Sequence, residues 1–232
     1  MLLSIQQPEF FPWAGYFNKL AQCDRVVFLD NVQFKKRYFE NRCRIKAADG
    51  MAWLTVPVFS KGQVTQRIDE VKVDNSKRWG AKTWSTLQQN YQKAPYWDQY
   101  SDFLEDTFAV RVWDRLVDLN LHVIKFVCAD LGITVDGMLG SDLDLQADTK
   151  GSDLMLAMCR QLGADSYLSG THGRDYLDDR AFAEAGIRVL YQDYAPPHYP
   201  QMGDAFVGPL SIMDLVLNNG ADSINYIRGE AP

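Results

Sequence analysis

The chain opens with the pattern of a parallel βαβ unit: a strand, a loop, a short helix and a second strand. Three of residues 2–5 are apolar, and Pro8 ends this strand because proline cannot pair within a central strand. A helix is predicted from Ala14 to about Gln22. Residues 25–30 include four successive apolar residues, which indicates a second strand buried on both faces. This unit predicts an α/β fold.

A stretch at about 35–130 interrupts the βα pattern. It contains two strand-like runs on either side of Asp49-Gly50, a dipeptide typical of hairpin turns. Its other predicted elements are a strand at 69–73, a helix at 76–92 and a helix or helix pair at 98–131. The βα pattern then returns, with strands predicted at 133–135, 138–143, 166–168 and 187–191 and helices at 152–162, 178–185 and 213–218. We expect one α/β domain, 1–232, with a mainly parallel Rossmann-like sheet and an inserted hairpin and helical lobe.

Composition and charge exclude several classes of protein. The net charge of −6 and the pI near 5.1 argue against a nucleic-acid partner. No run of apolar residues is long enough to span a bilayer, and no signal peptide is recognised, so we expect a cytoplasmic protein without membrane insertion.

Known catalytic and metal-binding motifs do not occur in the sequence. HExxH, Walker A, GxGxxG, GxSxG and CxxC are all missing, which argues against zinc proteases, P-loop kinases, standard dehydrogenases and α/β-hydrolases. Asp142, Asp144 and Asp148 lack the glycine and glutamate of a calcium-binding loop, so no metal site is predicted. The sequence identifies no cofactor and leaves the oligomeric state open.

Basic residues are concentrated near the start of the chain. Residues 1–46 contain eight basic and four acidic residues, although the whole chain is acidic. A cationic patch beside a βα loop favours a small-molecule substrate that carries phosphate or diphosphate, with Lys36 among its ligands. Arg42 and Arg44 lie two residues apart and share one face of a strand, where they can form a guanidinium clamp. The alternative is a solvated edge strand whose charges prevent aggregation.

Two further loops carry candidate site residues. The loop at 6–16 is rich in aromatic residues; its phenylalanines favour a core role, whereas Gln7, Trp13 and Tyr16 carry polar groups that favour a ligand site. The second loop follows a strand and offers Ser169, Gly170 and Arg174 as an anion cradle.

The second loop also has a structural interpretation, as a tight turn whose helix is capped by Asp178. Its His172 is the one histidine that we propose as an acid or base. Asp30, at the end of the second strand, is the other candidate catalytic residue.

Several motifs, taken together, resemble the WbqC-like family over nearly the whole chain. They are Gln7-Pro8-x-Phe10-Phe11-Pro12-Trp13-x-Gly15-Tyr16-Phe17, Asp30-x-Val32-Gln33-Phe34-x-Lys36, Asn41-Arg42-x-Arg44-Ile45, Trp53-Leu54-Thr55-Val56-Pro57-Val58, Tyr167-Leu168-Ser169-Gly170, Asp175-Tyr176-Leu177, Tyr199-Pro200-Gln201 and Ser211-Ile212-x-Asp214-Leu215. The resemblance implies a link to O-antigen and other surface-polysaccharide pathways. It adds Gln33, Asn41, Asp175 and Tyr176 to the candidate substrate-binding residues.

A more distant likeness is architectural. The opening strand, aromatic loop, helix and strand resemble nucleotidyltransferase-like folds of the pantothenate synthetase kind, but residues 11–16 stand where that group has its HxGH signature. We therefore expect a transferase that acts on a nucleotide-activated or carrier-linked sugar, with acyl or aminoacyl transfer to an amino sugar as one option for the reaction. The alternatives are an NTP-dependent nucleotidyltransferase and a non-catalytic scaffold subunit of a glycan-assembly complex.

Overall fold

A computed structural model describes residues 1–146, 149–203 and 205–230. Its main feature is a five-stranded sheet, in the order β5–β2–β1–β6–β7, in which every neighbouring pair is parallel. The five strands are β1 (Leu2–Gln6), β2 (Arg25–Phe28), β5 (Asp136–Leu139), β6 (Ser166–Ser169) and β7 (Arg188–Tyr191). The predicted α/β class with a parallel sheet is confirmed.

The order of the strands reverses between β1 and β6. From β1 the chain moves outward through β2 to β5, then returns to β6 and continues to β7 on the other side. In open parallel sheets, this reversal leaves a crevice at the carboxyl ends of the two central strands. The fold therefore places a crevice after Gln6 and Ser169.

Helices cover both faces of the sheet. They are α1 (Ala14–Gln22), α2 (Trp79–Tyr91), α3 (Trp97–Glu105), α4 (Leu116–Asp130), α5 (Gly151–Gln161), α6 (Asp179–Glu184), α7 (Ile212–Asn219) and α8 (Ser223–Arg228). Apolar residues of α1, α4 and α7 form one core with β2, and those of α5 and α6 form a second core with β1. The predicted stripe of α2, namely Trp79, Thr83, Leu87 and Tyr91, is buried as its spacing indicates.

The predicted hairpin is present between β2 and β5. Strands β3 (Arg42–Ala47) and β4 (Gly50–Thr55) pair antiparallel, from Arg42 opposite Thr55 to Ala47 opposite Gly50. The turn residues are Ala48 and Asp49, and Gly50 has a positive φ of 111°, which glycine adopts at little cost.

Two segments differ from the expected strands. Residues 69–73 form a short 3₁₀ turn, Ile68–Glu70, and isolated bridges, because Asp69 N–H donates to the carbonyl of Asp30 rather than to a continuous ladder. Residues 133–135 complete the end of α4: Gly132 has a φ of 65°, and Ile133 N–H donates to the Cys128 carbonyl. Strand β5 therefore begins at Asp136.

The loop after β1 is fixed by neighbours that are distant in sequence. Phe10 N–H donates to the Phe39 carbonyl at 2.9 Å, and Ile212 N–H donates to the Pro12 carbonyl at 2.8 Å. Asn120, on α4, donates its amide to the carbonyls of both Pro8 and Glu40. These bonds hold the aromatic loop against the hairpin segment, across the carboxyl edge of the sheet.

Candidate active site

A cavity of about 480 Å³ lies at the carboxyl edge of the sheet, where the strand order reverses. Its floor includes Gln6, the last residue of β1, and Gly170, which follows β6. One wall is the first turns of α1, which present Gly15, Tyr16 and Lys19. Open α/β sheets bind their ligands in this position, so the topology and the cavity indicate the same site.

The remaining walls come from segments distant in sequence. Arg44 of the hairpin and the preceding Tyr38 and Phe39 form one of them, and Ser211, just before α7, belongs to another. Ser211 N–H donates to the Arg44 carbonyl at 2.9 Å, which joins these two walls directly. Much of the lining is aromatic or apolar: Phe11, Trp13, Tyr16, Tyr38, Phe39 and Leu210. Planar rings of this kind suit a nucleobase or the apolar face of a sugar.

Trp13 lies directly over the start of α1. A Cβ placed on Gly15 would come within 2.2 Å of the Trp13 indole, so only glycine leaves room for the ring there. The side chain of Tyr16 is buried, and its hydroxyl donates to the Gln7 carbonyl at 3.0 Å. Burial raises the pKa of Tyr16 well above its ordinary value, so this phenol stays neutral. The loop and the helix thus form one preorganised wall.

Glu9 and Lys19 are two titratable side chains that line this cavity and influence each other's pKa. Burial raises the pKa of Glu9 to about 7; the nearby Lys19 opposes this shift, and Glu40 adds to it. Burial lowers the pKa of Lys19 to about 8, against the attraction of Glu9. Both groups line the cavity, and neither belongs to an ion pair among the described residues. Two titrating groups with pKa values near neutrality in one cleft are typical of active sites.

Arg42 and Arg44 stack on the same indole. Their guanidinium carbons lie 4.0 Å and 5.0 Å from the centroid of Trp53, on the outer face of the hairpin. Arg44 also lies 5.5 Å from the Phe39 ring and lines the cavity, whereas Arg42 does not line it. The two arginines share one face of the strand, as predicted, but only Arg44 lines the cavity.

The cavity brings together five of the fifteen predicted site residues: Trp13, Tyr16, Arg44, Gly170 and His172. The others lie outside its lining: Gln7, Asp30, Gln33, Lys36, Asn41, Arg42, Ser169, Arg174, Asp175 and Tyr176. Gln33 is exposed and donates to the Val64 carbonyl, and Asn41 is buried and donates to the Val56 carbonyl. Lys36 is exposed on the loop before the hairpin.

The two predicted catalytic residues differ in environment. Asp30 is 1 % exposed, and its carboxylate accepts hydrogen bonds from the backbone N–H and the hydroxyl of Ser141, at 2.8 and 2.7 Å. His172 lies at the rim of the cavity with its side chain exposed, and its Nδ1 is 3.4 Å from Asp175. The catalytic roles of both residues stay predictions.

One part of the loop after β6 borders the cavity, and another part caps α6. Gly170 reaches the cavity, where a Cβ on this glycine would lie 3.8 Å from the Lys19 amine. Arg174 points elsewhere and stacks 4.1 Å from the Tyr191 ring. Asp178 caps α6 by accepting hydrogen bonds from the N–H groups of Arg180 and Ala181. The helix cap is confirmed, and the first part of the loop borders the site.

Sequence reasoning missed Glu9 and Lys19 as site residues. Both were counted only among the charges of residues 1–46. The spacing of Lys19 could have indicated its position, because Gly15 and Lys19 are four residues apart and share one face of the predicted helix. Glu9 follows Pro8 directly after the strand, at the position where ligands of parallel sheets bind. The cavity that holds both is closed by residues far along the chain, such as Arg44 and Ser211, which local sequence does not reveal.

The described residues contain neither a metal-binding cluster nor a membrane-spanning helix. Within residues 1–146, 149–203 and 205–230, no three His, Cys, Asp or Glu side chains come together as a metal site; Asp148 lies outside these ranges. In the same ranges, no helix has the length and apolarity needed to cross a bilayer.

Comparison with known proteins identifies the family. The model of the WbqC-like protein family matches residues 7–226, which include every wall of the cavity. The chain belongs to the WbqC-like protein family. A relative in this comparison is the uncharacterized protein Rv1507c of Mycobacterium tuberculosis (strain ATCC 25618 / H37Rv), 34% identical over 227 residues and covered, like this chain, to 97%. No solved structure matches this WbqC-like protein.

Proposed function

We propose that this protein is a transferase of surface-polysaccharide biosynthesis that acts on a nucleotide-activated or carrier-linked amino sugar. In this proposal the amino group of the sugar accepts an acyl or aminoacyl group. The pathway is supported by membership of the WbqC-like family. The reaction is supported by the cavity, and above all by the presence of Glu9 and Lys19 in its lining with pKa values of about 7 and about 8.

Glu9 is the proposed general base. A carboxyl group with a pKa of about 7 is partly ionised at neutral pH, so it can take a proton during the reaction and release it afterwards. The acceptor nitrogen attacks the acyl carbon of the donor, its proton passes to Glu9, and the leaving group departs with the bonding electrons. Lys19, mainly protonated at neutral pH, stabilises the negative charge that develops on the acyl oxygen as the nitrogen attacks. His172, exposed at the rim, is the second candidate for the base.

The phosphate groups of the substrate are assigned to Arg44 and to the start of α1. Arg44 lines the cavity and has no carboxylate partner among the described residues. The first residues of α1, including Gly15, also border the cavity, and a helix N-terminus attracts anions through its free N–H groups. Trp13 and Phe39 supply flat walls for the base or the sugar ring.

The first experiment is a thermal-shift screen with UDP-, dTDP-, GDP- and CMP-amino sugars, ATP, CTP and coenzyme A, with and without magnesium. A ligand at about a hundred times its dissociation constant stabilises a protein by ~2.7 kcal/mol, which raises the melting temperature measurably. We expect one class of nucleotide sugar to give this shift, and Arg44→Ala to reduce it. Arg160→Ala, on the exposed side of α5, is the matched control.

A nucleotidyltransferase that uses an NTP is the second candidate. The observation that favours it is the strand order, because a parallel sheet that reverses beside its first strand is a common nucleotide-binding architecture. A shift with ATP or CTP alone would select this candidate and reject the amino-sugar transferase. The absence of any shift across the panel would reject the nucleotidyltransferase and the nucleotide-activated substrate, and would leave a carrier-linked sugar or a scaffold role.

A further inference from the structure

The hairpin has one buried and one outward face, as the alternation of side chains along a strand requires. Cys43, Ile45 and Leu54 face the core and are at most 6 % exposed. Arg42 and Arg44 project from the opposite face and stack on Trp53, which is 37 % exposed. The outward face thus combines two guanidinium groups with an indole that is open to solvent.

The loop before β3 extends this face. Lys35, Lys36 and Arg37 are consecutive and exposed, and Tyr38 is 44 % exposed. The Lys35 amine lies 5.4 Å from the centre of the Tyr38 ring. From there the rings run in sequence to the hairpin: Tyr38 lies 5.3 Å from Phe39, and Phe39 lies 5.9 Å from Trp53. We call this continuous surface, formed by Lys35, Lys36, Arg37, Tyr38, Phe39, Arg42, Arg44 and Trp53, the cationic face.

The charges of the cationic face are not neutralised within the described chain. None of its five basic residues belongs to an ion pair among the described residues. Between Lys35 and Arg44 the sequence has one acidic residue, Glu40, and its side chain is fully buried. The protein as a whole carries −6. An acidic protein with one uncompensated basic surface meets an anionic partner in a defined orientation.

We propose that the cationic face docks the protein on an anionic lipid bilayer. Tyrosine and tryptophan rings favour the headgroup region of a bilayer, and neighbouring lysines and arginines bind anionic lipids there. Tyr38 and Trp53 are exposed beside five cations, which matches this chemistry. A nucleic acid would gain less, because its affinity depends on a large cationic footprint and the protein as a whole carries −6.

Docking in this orientation brings the cavity close to the bilayer. Tyr38, Phe39 and Arg44 belong both to the cationic face and to the lining of the cavity. A substrate anchored in the bilayer by a lipid tail, with its phosphate near the surface, would therefore meet Arg44 first. The inference concerns where the protein binds and not which bond it makes, so it stands or falls separately from the proposed transferase.

The test is co-sedimentation of the full chain with vesicles. One set of vesicles contains equal parts of phosphatidylcholine and phosphatidylglycerol, and the other contains phosphatidylcholine alone. The test variant is Lys35→Gln, Lys36→Gln, Arg37→Gln. The matched control is Lys82→Gln, Lys93→Gln, Lys125→Gln, which removes the same charge from exposed positions on or beside the helices. We expect the wild type and the control to bind the anionic vesicles, and the test variant to bind about 100-fold more weakly.

Several results would overturn the inference. These are failure of the wild type to sediment with anionic vesicles, equal sedimentation with neutral vesicles, and equal losses in the test and control variants. A single-stranded oligonucleotide that competes fully with the vesicles would also overturn it, by showing a general polyanion surface. If the test variant fails to fold, the salt dependence of the wild type replaces it: binding must weaken steeply as ionic strength rises.

Discussion

Glu9 and Asp214 are two acids at cavities: Glu9 is half-buried and Asp214 is fully buried. Each borders a cavity, of about 480 Å³ for Glu9 and about 440 Å³ for Asp214, and burial raises the pKa of both. Asp214 accepts hydrogen bonds from Tyr91 and Tyr199, both at 2.9 Å, and from Gln201 at 2.7 Å. The shift at Glu9 involves no hydrogen bond, only burial and nearby charges. A cavity and a raised pKa therefore do not by themselves identify a reactive acid.

The hydrogen bonds to Asp214 support the fold, whereas Glu9 is the group proposed to take part in chemistry. The partners of Asp214 join two of the motifs that carry the family resemblance, Tyr199-Pro200-Gln201 and the segment that begins at Ser211. Those motifs thus stabilise the fold around α7. Glu9 lines its cavity without a hydrogen bond to a described residue, which is the basis of its proposed role as general base.

The largest effect on stability is expected for Asp214→Asn. Tyr91 donates to Oδ1, and Tyr199 and Gln201 donate to Oδ2, so the asparagine NH₂ would replace the acceptor of at least one buried donor. We expect the free energy of unfolding to fall by ~2–4 kcal/mol, as for other broken buried networks. Urea unfolding measures this, with Asp102→Asn on the exposed side of α3 as control. Equal values for the two variants would show that the network contributes little.

Glu9→Gln is expected to raise the free energy of unfolding near neutral pH, whereas Asp214→Asn lowers it. The folded pKa of about 7 lies above the ordinary value of 4.5, so the folded state holds more protons between these values. The free energy of unfolding therefore falls as pH rises through this window. Glutamine cannot ionise, so the variant should match the wild type below pH 4.5 and exceed it by on the order of 1–3 kcal/mol above pH 7.

Urea unfolding across this pH range tests the expectation at Glu9. Glu105→Gln, at an exposed position of α3, is the matched control and should follow the wild type throughout. Parallel curves for Glu9→Gln and the wild type would show that Glu9 titrates normally. In that case the comparison with Asp214 would lose its basis, together with the role of Glu9 as a general base.

Arg44→Ala and Arg42→Ala test whether only the arginine that lines the cavity binds the ligand. Arg44 lines the cavity and Arg42 does not, although both stack on Trp53. We expect Arg44→Ala to weaken binding of the nucleotide sugar found in the screen by about 10- to 100-fold, as for loss of a charged hydrogen bond, and Arg42→Ala by less than about threefold. Isothermal titration calorimetry measures both. Equal losses would instead mean that the phosphates span the two guanidinium groups as a clamp.

The fold was more predictable than the site. Local patterns predicted the first βαβ unit, the hairpin, the α2 stripe and the Asp178 cap, because each depends on residues close in sequence. Asp30 and Glu9 both follow strands of the sheet, and sequence alone favoured Asp30. Its carboxylate is engaged by Ser141, 111 residues further along the chain. The partners of a carboxyl group depend on such long-range contacts, so sequence could not distinguish the two acids.

The smallest expected effect concerns Asp178, whose carboxylate has partners but is exposed. It accepts hydrogen bonds from the N–H groups of Arg180 and Ala181, both at 3.1 Å, and lies outside the cavity lining. Asp178→Ala should lower the free energy of unfolding by ~1 kcal/mol, the usual contribution of a helix cap. It should leave the affinity for the nucleotide sugar unchanged, since only the start of this loop, at Gly170, borders the site. A loss of affinity at constant stability would instead mean that the whole loop after β6 cradles the ligand.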